Sequence, residues 1–291
     1  MNRLSDILRL MRPLQWLKNV FVFTGVVFSG RLEDHSLWVS VILAAAAFCL
    51  VSSSVYIFND IFDCERDKCH PRKKGRPLPA GRVSFSLAMV LGIVLLVAGL
   101  LLSYWVSWRV LVIVLLYVIL NIAYTLVFKD VVILDVFCIA AGFMLRIMAG
   151  TVGVGIPPSK WLLLCGLMIT LFLGFAKRRA EILALSNKED YRKVLVNYGP
   201  VLLDEIISIC ATGVIISYSL YTMSQDTIRM HHTENLIYTV PFVIYALFRY
   251  IFLLHHSNRG EDPSHDLIKD PHIVVSVLGW AILTFYLTSH L

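Results

Sequence analysis

The 291-residue chain is poor in charge. Only 16% of its residues are Asp, Glu, Lys or Arg, 58% are hydrophobic, and mean hydropathy is +0.74. Soluble domains carry about 25% charged and about 45–50% apolar residues. The deficit excludes an ordinary soluble domain and predicts a polytopic membrane protein. No polar linker is long enough to separate two domains, so residues 1–291 are expected to form a single transmembrane bundle. A cleavable signal peptide is not expected, because the first apolar run follows Arg9, Arg12 and Lys18 without a small-residue cleavage site. Zinc-type spacing is missing too. The six cysteines are scattered, and Cys64, Cys69 and His70 have no second ligand pair. The cysteines read as small hydrophobes. Low-complexity tracts are absent. The net charge of +6 belongs to the loops, which points to lipid headgroups or phosphates and not to nucleic acid.

Long apolar runs are what the chain has in quantity. A spanning helix needs roughly 20 mainly apolar residues. Nine candidates are present, at about residues 16–30 (short), 37–58, 85–106, 109–128, 131–154, 160–176, 203–223, 236–255 and 273–291, preceded by an amphipathic stretch at 4–11. The fold class is therefore all-α. Twenty of the 26 lysines and arginines fall in the N-terminus and in connections 59–84, 129–130, 177–202 and 256–272. Four fall on the other side, and Arg146 and Arg249 lie within helices. That asymmetry predicts a multi-pass protein of the plasma membrane with its N-terminus and long loops in the cytoplasm. Long basic loops follow both the second and the sixth helices, a weak echo of two related halves.

Residues 59–82 concentrate charge between two apolar runs. Asp60, Asp63 and Asp67 are spaced by three and four, so they share one face if the second helix continues beyond the membrane. Asn59 precedes Asp63 by one turn. Like charges at this spacing repel, and a divalent cation removes the penalty. Hard oxygen ligands suit Mg2+, which bridges to substrate phosphates. The competing reading is a solvated helix end, since Glu65, Arg66 and Lys68 interleave. Arg72, Lys73, Lys74 and Arg76 follow, then Pro77, Pro79 and Gly81, which make a loop. These basic residues pair with phosphate oxygens or serve as topology signals.

The ordered set resembles the UbiA prenyltransferase superfamily. Its first aspartate-rich motif is matched by Asn59, Asp60, Asp63 and Asp67 with His70-Pro71 and Arg76-Pro77. Within that superfamily the resemblance is closer to the decaprenyl-phosphate phosphoribosyltransferase group. It rests on Arg12-Pro13-Leu14-Gln15-Trp16-Leu17-Lys18-Asn19, Tyr124, Phe128-Lys129, Leu134-Asp135-Val136, Gly142-Phe143, Leu145-Arg146, Lys177-Arg178, Glu181, Glu261-Asp262-Pro263 and Asp270. Superfamily members with a prenyl diphosphate donor carry a second aspartate repeat after the sixth helix. Here that region is basic, with Lys177, Arg178, Arg179, Arg192 and Lys193 outnumbering Glu181, Glu189 and Asp190. A basic loop does not recruit a second magnesium. It holds an anion directly or anchors a helix end at the headgroups.

The resemblance implies a UbiA-like bundle of nine transmembrane helices. It implies Mg2+-dependent transfer of 5-phosphoribose from phosphoribosyl diphosphate to a polyprenyl phosphate. Catalysis is expected from Asp60, Asp63, Asp67, Lys74 and Arg76, with metal on Asn59, Asp60, Asp63 and Asp67. Donor binding is expected from Lys18, Asn59, Lys73, Tyr124, Lys129, Asp135, Asp262 and Asp270. The polyprenyl phosphate is expected on Arg146, Lys177, Arg178 and Glu181. Asp135 and Arg146, eleven residues apart, face either a polar cavity or interhelical partners. Tyr124 closes the site or sits in an aromatic belt. Two other functions stay open: a prenyltransferase acting on a small acceptor, and a transporter with polar groups at mid-membrane. Gly142, Gly150 and Gly153 permit close packing within the monomer or in a homo-oligomer.

Overall fold

The structure is a computed structural model that describes residues 3–69, 74–184, 198–256 and 270–289. These residues form no strand, only α-helices, short 3-10 segments and turns. In chain order the helices are α1 (Arg3–Met11), α2 (Thr24–Val27), α3 (His35–Phe62), α4 (Cys64–Cys69), α5 (Phe85–Val106) and α6 (Trp108–Leu126). They continue with α7 (Leu134–Ala149), α8 (Lys160–Ala184), α9 (Pro200–Met223), α10 (Gln225–His231), α11 (Val240–His256) and α12 (Pro271–Ser289).

Local chemistry sets the starts. Asp34 caps α3, its carboxylate accepting from the Ser36 and Leu37 N–H groups at 3.1 and 3.2 Å. The Ser36 hydroxyl and the Leu37 backbone hold the Asp34 carboxyl below its ordinary range. Ser84 caps α5 through the Leu87 N–H. The Asp270-Pro271 pair is a helix start: Asp270 accepts from the His272 and Ile273 N–H groups, and Pro271 opens α12. A bond from Arg249 holds the Asp270 carboxyl low, against some desolvation.

Among the described residues, eight helices are long and apolar enough to cross a membrane. The sequence leads one to expect nine, and the difference lies at residues 16–30. This stretch is a 3-10 helix, Pro13–Phe23, followed by the four-residue α2. The stretch lies against a second backbone. A Cβ on Gly150 would lie 1.6 Å from the Val22 carbonyl oxygen, and one on Gly25 would lie 2.0 Å from that of Gly150. Backbone meets backbone there, and the slim 3-10 coil fits where side chains do not. Its rise of about 2.0 Å per residue carries eleven residues over roughly 22 Å.

A second difference concerns α8. The basic loop expected from residue 177 begins as helix, and Lys177, Arg178 and Glu181 lie on the last turns of α8. Ala176, Ala180, Ile182, Leu183 and Ala184 are compatible with helix, and several favour it.

The chain divides into two compact units: Met1–Leu126 with Leu145–Pro157, and Val127–Met144 with Pro158–Leu291. In the first, α3 packs chiefly on α5, and Phe48, Val51 and Val55 of α3 share a core with Leu96 and Leu100 of α5 and Val114 of α6. A smaller cluster joins Leu10 of α1 to Ile57, Leu78, Val83 and Leu95. In the second, α8 packs chiefly on α9 around Phe172, Phe175, Leu203 and Ile207. Each unit thus has a dominant helix pair joined by one of the charged connections. Burying such side chains is worth about 1.5–3 kcal/mol each against water, but lipid removes much of that difference.

Candidate active site

The acidic motif sits where α3 ends. Asp63 terminates α3, and helical hydrogen bonds run on through it, from the Asp63 N–H to Asn59 at 2.9 Å and from the Asp67 N–H to Asp63 at 2.8 Å. Asp60 and Asp67 therefore keep a common side, seven residues or two turns apart. They are only 3% and 1% exposed, whereas Glu65 and Lys68 pair at 2.6 Å in solvent. The interleaved charges are sorted by face: the solvated reading holds for Glu65 and Lys68 and not for Asp60 and Asp67.

Two arginines meet these carboxylates. Arg76 Nη1 donates to Asp60 Oδ1 at 3.0 Å and to Asp67 Oδ2 at 2.5 Å. Arg12 Nη2 donates to the same Asp60 oxygen. Arg12 also lies over the Tyr56 ring, 5.2 Å from its centroid. Its backbone is left-handed, φ 54 and ψ 60, directly before Pro13. That conformation costs a non-glycine residue about 1–3 kcal/mol, and proline restricts it further. Its side-chain bond to a buried carboxylate offsets the cost. Asn59 Oδ1 accepts from the Thr125 hydroxyl at 3.0 Å. Asp63 is half-buried, Lys74 is exposed, and Tyr124 and Lys18 are half-buried in the same unit.

The donor set can be weighed for a divalent ion. It is all oxygen: carboxylates and one amide. Among the described residues no three His, Cys, Asp or Glu side chains converge to hold a metal by themselves. Mg2+ does not need such a cage, since it keeps waters and uses one or two carboxylates plus substrate phosphates. The residues fit an ion that arrives with a polyphosphate. Arg12 and Arg76 balance the acidic charge in the arrangement seen.

Arg146 is also in the first unit and is buried. Its Nε donates to Asn19 Oδ1 at 2.7 Å and its Nη2 to the Tyr117 hydroxyl at 3.0 Å. The Tyr117 and Phe48 rings lie 4.7 and 5.7 Å from its guanidinium carbon. These partners support the interhelical reading of Arg146.

The second unit holds its own buried charges. Asp135 is 0% exposed and Arg178 2%. Arg178 Nε donates to Asp135 Oδ2 at 2.7 Å, and its Nη1 to Glu181. The Tyr198 hydroxyl donates to Asp135 Oδ1 at 2.8 Å and accepts from the Ile133 N–H. Burial first, then the bond to Asp135, pushes the Tyr198 phenol far up, so it stays protonated. Ile133 has φ 70, a genuine outlier for a β-branched residue, fixed by that bond. Arg179 pairs with Asp204 and donates to the Leu254 carbonyl at 2.7 Å. Arg249 binds Asp270 at 2.8 Å. Arg178 and Arg179 are thus committed to carboxylates. The Lys177 side chain is exposed. Lys129 is half-buried in the 3-10 turn Phe128–Asp130. Lys73 and Asp262 lie outside the described residues.

Sequence reasoning missed Arg12 as a site residue, along with Tyr198, Asp6 and Arg82. Arg82 ends the charged stretch 59–82, and Arg12 carried a signal in its place in the quoted N-terminal motif. Nothing in local spacing links it to Asp60, 48 positions away.

Residues 19–266 match the UbiA prenyltransferase family. A decaprenyl-phosphate phosphoribosyltransferase of Mycolicibacterium smegmatis is 32% identical, over 96% of this chain and 91% of that protein. One from Corynebacterium glutamicum is 31% identical, over 96% and 85%. The fold is shared with a UbiA homolog from Archaeoglobus fulgidus bound to GPP and Mg2+, with a TM-score of 0.74 at 20% identity over 98% of this chain and 99% of that one.

Proposed function

The chain belongs to the UbiA prenyltransferase family, and we propose that within it this protein moves 5-phosphoribose from phosphoribosyl diphosphate to a polyprenyl phosphate of the decaprenyl type, releasing diphosphate. It is a membrane transferase by family. The observation that carries the finer reading is the near-full-length similarity to two phosphoribosyltransferases. The site is consistent with it: the clustered buried carboxylates lie at residues 60–67, and the end of α8 carries Lys177, Arg178 and Arg179 in place of an aspartate repeat.

The roles follow from charge and position. Asn59, Asp60, Asp63 and Asp67 would hold magnesium. The ion, when bound, neutralises diphosphate charge and stabilises it as a leaving group. Arg76 and Lys74 bind diphosphate oxygens, and Arg12 turns from Asp60 toward the same charge. Lys18 and Tyr124 add contacts to the donor. The lipid acceptor presents its own phosphate. An oxygen of that phosphate forms a bond to the ribose anomeric carbon, with inversion, as the bond from that carbon to the diphosphate oxygen breaks. The diphosphate leaves with the electron pair. A phosphate is already anionic at pH 7, so no general base is required. The site is read as facing the cytoplasm, from the excess of lysine and arginine in the loops that carry it.

Purified protein with Mg2+ and polyprenyl phosphate is expected to consume phosphoribosyl diphosphate and to leave a prenyl diphosphate intact. Consumption of the prenyl diphosphate with a small aromatic acceptor, and none of the sugar donor, would sink the reading. Flux across proteoliposomes without covalent turnover would replace it by transport.

A further inference from the structure

Arg76 stands in a turn that a second arginine closes. Arg82 Nη2 donates to the Gly75 carbonyl at 2.7 Å, and the Arg82 backbone N–H donates to the Pro77 carbonyl at 3.0 Å. One residue thus holds both neighbours of Arg76. The turn is shut by the Ala80 N–H on the Arg76 carbonyl at 3.0 Å and by Gly81, with φ 68. Arg82 is in turn held from outside: its Nε donates to Asp6 Oδ1 at 3.0 Å. Asp6 lies on α1 and is 4% exposed. One turn further on, Leu10 packs with Leu78 and Val83 of the same loop. The chain leaving α1 then delivers Arg12 to Asp60.

We propose that Asp6 and Arg82 are positioning residues that set Arg76 against Asp60 and Asp67, which makes α1 part of the diphosphate site and more than a helix lying on the membrane surface. The proposal rests on the reading that Arg76 binds a donor diphosphate. Its geometry needs arginine at residue 82. The fork engages Asp6 through Nε and the Gly75 carbonyl through Nη2 at once. A lysine is a point charge on a flexible stem and does not hold both in fixed relation. Asp6 orients that fork, and without it the Nη2 bond to the Gly75 carbonyl is no longer held in a fixed direction. Arg76 then spends more time away from the position in which one nitrogen serves two carboxylates.

The test uses the full chain and magnesium with inorganic diphosphate, so it does not depend on what organic group the donor carries. Asp6→Asn and Arg82→Lys are each expected to weaken binding about tenfold. In an Arg76→Ala background, Asp6→Asn is expected to add no further loss, because it acts through Arg76. In turnover the change falls on the KM for the donor, with the KM for the lipid acceptor unchanged. Arg82→Lys preserves the loop's charge, so it carries the comparison if Asp6→Asn does not fold. Wild-type affinity in the folded variants overturns the proposal, as does a tenfold loss that persists without Arg76. Wild-type protein that binds no magnesium diphosphate overturns the functional reading itself, and this proposal with it.

Discussion

Asp67→Asn is expected to lower turnover by about 10^3-fold while the protein stays folded. Asparagine keeps the shape and an oxygen that accepts from Arg76, so packing at this buried site is preserved. What it loses is the charge that a divalent ion needs. Folding is spared for a second reason: Asp60 and Asp67 are two buried carboxylates bridged by one guanidinium nitrogen, and removing one relieves their repulsion. Initial rates and the thermal midpoint in detergent check this together. Unaltered turnover would remove the metal assignment from Asp67, and a collapse in thermal midpoint would make the residue structural.

Arg178→Ala has the largest expected effect on stability, about 3–5 kcal/mol. The residue is 2% exposed and joins two carboxylates, the fully buried Asp135 and the partly exposed Glu181. Truncating it leaves Asp135 buried, with the Tyr198 hydroxyl donating to it. Pairing it with Asp135→Asn is expected to recover much of the loss, because the uncompensated charge is then gone. The sequence assigns Arg178 to the acceptor phosphate, and the same variant separates the two roles. A lowered thermal midpoint with rescue by Asp135→Asn makes it a fold anchor. A normal midpoint with a raised KM for the polyprenyl phosphate makes it a ligand for that phosphate.

Much of this was legible because membrane sequences speak locally. An apolar run near 20 residues has one cheap way to satisfy its backbone, and α3, α5, α6 and α9 lie close to where hydropathy puts them. The Asp60–Asp67 spacing likewise reports helix geometry directly. What stayed hidden depends on contacts far apart in sequence. Arg12 meets Asp60 across 48 positions, and Arg82 meets Asp6 across 76. The stretch at 16–30 is the end of a 3-10 helix followed by the short α2, and it touches a second backbone at Gly25 and Gly150, which hydropathy does not register. By charge alone the end of α8 looks like a basic loop, but Arg178 and Arg179 are neutralised by Asp135, Glu181 and Asp204, which lie on α7, α8 and α9.

The central claim is that the ribose, and not the diphosphate, reaches the lipid. Phosphoribosyl diphosphate labelled in the ribose, and separately in its β-phosphate, is given to the protein in liposomes holding polyprenyl phosphate and Mg2+. The ribose label is expected in the lipid fraction and the β-phosphate label in released diphosphate, with both transfers abolished in Asp67→Asn. A β-phosphate label in the lipid, or no ribose label there, would contradict the account.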